Sequence, residues 1–83
     1  MKRELLINEI TDFCFKYRLL KEPVNLEDIK TRIEKGLEDS EFIENLINTI
    51  IVKTKHRKNI DTEKLKCLLL ELDRVRLELE YHE

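Results

Sequence analysis

Eighty-three residues, 41% of them apolar and 41% charged, make one domain near the lower limit for a self-sufficient hydrophobic core, and this balance argues against a disordered tail. A single Gly and a single Pro leave too few tight turns for a multi-stranded β fold. The formal net charge of −2 gives no global attraction to nucleic acid or to an anionic membrane, so binding of either kind would have to be local.

The first helix is expected from about Arg3 to Leu20, with Leu6, Ile10, Phe13, Tyr17 and Leu20 as its apolar stripe and Ile7 and Cys14 widening it. Asp12 and Lys16 have i,i+4 spacing for an ion pair. Phe15 and Leu19 lie off the stripe. Pro23 disfavours helical geometry at Glu22, so the chain turns there.

The second helix starts at Asn25, whose side chain can cap free backbone N–H groups, with Asp28 three residues on where negative charge is favoured. Val24 and Ile29 have the spacing of a hydrophobic staple, the stripe is Leu26, Ile29 and Ile33, and Gly36 is expected to end the helix in a left-handed conformation.

Asp39 or Ser40 then caps a third helix carrying Phe42, Ile43, Leu46, Ile47, Ile50 and Ile51. Its end, Thr49 to Thr54, is β-branched enough to resemble a strand, but no second strand-like run exists to pair with it. A polar turn, Lys53 to Asn59, leads to Asp61 as the cap of the fourth helix, with Ile60 and Leu65 at staple spacing. Leu65, Leu68, Leu72, Val75 and Leu79 form its main stripe, and Arg74–Glu78 and Arg76–Glu80 are i,i+4 pairs. At about 100° per residue, Leu70, Leu77 and Tyr81 fall on the opposite side. A small bundle cannot cover both sides of a terminal helix.

The start Met1-Lys2-Arg3 runs at once into Glu4, Asn8, Glu9 and Asp12, unlike a signal peptide, and no apolar run approaches the ~20 residues that cross a bilayer. Together with only two cysteines this points to the cytoplasm, with Cys14 and Cys67 as reduced packing residues.

The strongest local feature is the basic run Lys53, Lys55, His56, Arg57, Lys58, continued by Lys64 and Lys66. From 53 to 66, six Lys or Arg face only Asp61 and Glu63, a local charge of +4. Lys53, Lys55, Arg57 and Lys58 are therefore candidate contacts for nucleic acid or another anion, although the run lacks an aromatic residue for base stacking and a glycine-rich phosphate cradle. A helix-turn-helix through Gly36 is disfavoured because its second helix opens with Glu38, Asp39, Ser40 and Glu41 and adds Glu44, which phosphates would repel.

Cys14, Cys67, His56 and His82 are dispersed, without the paired spacing of a zinc site, and no cofactor motif is present. Ser40, the only serine, reads as a cap. The expected core has only Tyr17 as a polar handle, so no catalytic residues are proposed and an enzyme is not expected.

The expectation is an all-α bundle of four helices, two long terminal ones and two shorter central ones, that dimerises or binds a protein partner. Phe15, Leu19, Leu70, Leu77 and Tyr81 would form the protein-binding surface, because contiguous exposed apolar patches mark association sites. The alternative is an accessory nucleic-acid-binding protein using the basic turn. Abundant Lys, Ile, Asn and Glu resemble coding from AT-rich genomes, which suits a regulatory modulator carried by a phage or mobile element.

Overall fold

The computed structural model describes residues 1–22 and 25–81; the turn at Pro23, the Val24 staple and His82 lie outside the described residues. The described residues form four helices and no strand: α1 (Arg3–Lys16), α2 (Leu26–Gly36), α3 (Ser40–Thr54) and α4 (Thr62–Tyr81). They pack chiefly as two pairs, α1 on α2 and α3 on α4, with α4 also touching α1, in a body of 39 × 24 × 20 Å. The Arg3 guanidinium donates to the Glu34 carbonyl at 3.3 Å, which puts the start of α1 beside the end of α2 and fixes their antiparallel sense.

The starts of α2, α3 and α4 are chemically specified, while α1 begins after Lys2 without a side-chain cap. The Asn25 side chain accepts from the Asp28 N–H at 2.9 Å, Asp39 from the Glu41 N–H at 3.0 Å, and Asp61 from the Lys64 N–H at 3.1 Å. The core lies where the four stripes meet: Leu6, Ile10, Ile33, Ile43, Ile50 and Leu72 are all essentially inaccessible. Buried polar residues are confined to Thr11 and Thr54 among the described residues. Thr54 donates to the Ile50 carbonyl of its own helix, 2.7 Å away.

Two expectations about helix ends need correction. The first helix stops at Lys16, not Leu20. Arg18 adopts a φ of 50°, and the Leu19 N–H reaches back to the Cys14 carbonyl (3.0 Å) while the Arg18 N–H bonds that of Phe15 (3.3 Å). These are the two bonds of a Schellman cap, with Arg18 in the left-handed position that glycine usually takes. Leu19 thereby becomes the apolar residue that follows such a cap and folds back onto the last turn.

Gly36, conversely, is not left-handed. It is the last residue of α2 and lies buried against the ring of Phe42. A Cβ there would clash with two carbons of that ring, so the ring would have to move. Its smallness serves the close approach of α2 and α3, and the Arg32 guanidinium sits 5.9 Å from the centre of the same ring.

Candidate interaction surfaces

Three contacts set the register of α4 against α1. The Met1 ammonium lies 3.5 Å from Glu71, Lys64 pairs with Glu9 at 2.5 Å, and the Asp61 N–H donates to the Tyr17 hydroxyl at 3.2 Å. The two helices are therefore antiparallel, and the hydrogen bond to Glu9 raises the pKa of the Lys64 ammonium above its usual value. This register points Leu68 and Leu72 into the core, while Leu65, Leu69, Val75 and Leu79 pack against its edge.

The opposite side of α4 is uncovered. Leu70 is 72% exposed, Leu77 38% and Tyr81 83%; Val52, near the end of α3, is exposed separately. Arg74 stands within this strip, held by Glu78 at 3.7 Å, and the neighbouring Arg76 bridges Asp73 (2.7 Å) and Glu80 (3.2 Å). The exposed surface is thus apolar side chains set among charges that already have partners on their own helix. Ile51, among the apolar residues of α3, is also exposed. The signal for α3 was in the sequence. Three consecutive apolar residues, Ile50-Ile51-Val52, spread over about 200° of a helix, so they cannot all face inward.

The five residues expected to make one surface do not. Leu19 is 0% exposed and belongs to the core, because the Schellman turn replaced the helical course that would have carried it outward. Phe15 is exposed at 46% but lies elsewhere. With Tyr17 beside Asp61, Phe15 is level with the first turn of α4. At ~1.5 Å per residue, Leu70 is then roughly 12 Å and Tyr81 roughly 29 Å further along.

Phe15 instead forms the wall of a groove at the end of α1, lined by Cys14, Lys16, Arg18, Leu20, Lys21 and Ile29. Lys16 does not reach Asp12; its ammonium sits 5.3 Å from the centre of the Tyr17 ring. Burial pushes the Cys14 thiol up to about 12, so it stays protonated and acts as an apolar side chain. Cys67, expected to pack, is exposed on α4.

The basic turn is only partly free. Lys53, Lys55, His56 and Lys58 are exposed, but the Arg57 guanidinium donates to the Tyr17 carbonyl at the end of α1. That contact satisfies an orphan helix-terminal acceptor and ties the α3–α4 turn to α1. Among the described residues no three His, Cys, Asp or Glu side chains gather where they could hold a metal ion. No described helix is long and apolar enough to cross a membrane. No protein-family model matches the chain, and neither a curated protein nor a solved structure is significantly similar to it.

Proposed function

We propose that this chain is a small interaction module that binds a protein partner or a second copy of itself through the outer face of α4, acting by contact and not by turnover. The observation that carries this reading is the exposure of Leu70, Leu77 and Tyr81 along one side of the longest helix. Each large apolar side chain covered on association contributes roughly 1.5–3 kcal/mol, so a handful can offset the entropic cost of a complex. A cytoplasmic regulatory modulator of the kind carried by phages and mobile elements is the setting that the composition favours.

The test is the mass of the purified chain in solution, by light scattering, for the natural sequence and for Leu70→Glu combined with Leu77→Glu. Both sites are exposed, so the variant should keep its helical circular dichroism. The natural chain should run above its monomer mass of 10.1 kDa and the variant at it. A natural chain that stays monomeric at high concentration removes self-association and leaves a protein partner as the occupant. A variant with unaltered assembly contradicts the assignment of this face.

A further inference from the structure

We infer that the basic end of the bundle is a second docking site: the groove beside Phe15 takes an acidic peptide segment of a partner protein, with one apolar side chain of that segment seated in the groove. The floor is apolar, built from Cys14, Leu20 and Ile29, and the rim carries Lys16, Arg18 and Lys21, whose side chains are exposed. Sequence spacing alone gave no sign that these cations join the turn between α3 and α4. The hydrogen bonds from Arg57 and from the Asp61 N–H to Tyr17 hold that turn against the end of α1, bringing Lys55 and Lys58 to the same pole of the molecule.

This concentration exceeds what the helix ends require. The C-termini of α1 and α3 together present about one negative charge equivalent. Residues 53–66 alone carry +4, residues 12–30 are balanced, and with a total of −2 the remainder of the chain carries −6. The acids at this pole are largely committed to helix N-termini. Asp28 accepts from Asn25 at 2.6 Å in the first turn of α2, Asp61 caps α4, and Glu27 and Glu63 lie in first turns; Glu22 in the loop and Asp12 on α1 are the exposed acids left, and of the basic run Lys64 is already paired with Glu9.

An acidic segment is therefore drawn to one pole only, where its charges meet the rim and its apolar side chain fills the floor. A nucleic acid fits less well. Its phosphates would use the cations, but the apolar floor would stay unfilled, and a longer strand following the 39 Å axis would meet the acidic half.

The proposal is independent of the α4 face, and its test is selection of a phage-displayed random peptide library of about twelve residues on the immobilised full chain. Enriched peptides should carry Asp or Glu around a Phe, Leu or Ile. Lys16→Glu with Lys21→Glu should weaken the synthesised winner roughly tenfold or more, and added salt should weaken it too. The milder Lys16→Gln with Lys21→Gln should give a smaller loss with the fold intact by circular dichroism, and Leu70→Glu should leave binding unchanged. Any of three results overturns it: no acidic–apolar consensus, a consensus that binds the charge-reversed chain equally, or tighter binding of oligothymidylate of about 20 nucleotides.

Discussion

Arg18 decides where α1 stops. With φ at 50° it occupies a conformation that costs a side-chain-bearing residue about 1 kcal/mol relative to glycine, and the two Schellman bonds at 3.0 and 3.3 Å hold it there. Arg18→Gly should accordingly stabilise the fold by roughly 0.5–1 kcal/mol, seen as a higher urea midpoint at unchanged slope. The same residue explains why Leu19 was misplaced. Helical spacing assigns a face only while the helix lasts, and an Arg-based left-handed cap leaves no glycine in the sequence to mark the stop. Once the chain reverses, Leu19 is carried inward whatever its helical angle would have been. The exposed state of Leu70, Leu77 and Tyr81 was legible because α4 runs unbroken from a recognisable Asp61 cap, so their angular positions hold to the end of the chain described.

At the scale of elements, the sequence announced every helix and the caps Asn25 and Asp61, because an Asn or Asp ahead of an amphipathic run has a specific chemical task there; for α3 it left Asp39 and Ser40 as alternatives, and Asp39 is the cap while Ser40 is the first helical residue. Gly36 was legible as a junction and misleading as to mechanism. Glycine serves either a left-handed turn or a close approach, and only packing tells the two apart. Here Phe42 of α3 lies on the backbone of α2 where a Cβ would stand. Alanine is intrinsically the better helix former by about 1 kcal/mol. Gly36→Ala should nevertheless destabilise by about 1–2 kcal/mol, since the displaced ring is part of the α2–α3 contact and overpacking outweighs propensity. Thermal unfolding of the variant checks the sign. A left-handed glycine would also resist alanine, but there Gly36→Asn would be tolerated; packing against Phe42 predicts that asparagine is worse than alanine.

For the whole molecule, what the periodicity could not supply was pairing. A stripe states that one side of a helix is apolar, not which helix covers it, so the partnering of α1 with α2 and of α3 with α4 appears only in three dimensions. The separation of charge between the poles was hidden for the same reason, because the end of α1 and the α3–α4 turn meet through the Tyr17–Arg57 contact across 40 positions of chain. The apolar excess of α4 was readable early, since the face is surplus to any bundle of four short helices. It is the observation on which the proposed interaction role rests. The most direct measurement is quantitative affinity capture from the native cell, comparing a tagged natural chain with tagged Leu70→Glu, Leu77→Glu in the presence of an untagged copy. The natural chain should recover either its untagged copy or one partner protein in near-stoichiometric amount, and the folded variant should lose at least about 90% of it, the loss expected when side chains worth several kcal/mol are removed from an interface. Equal recovery by both chains, with the variant's helical content intact, would contradict the assignment of the outer face of α4.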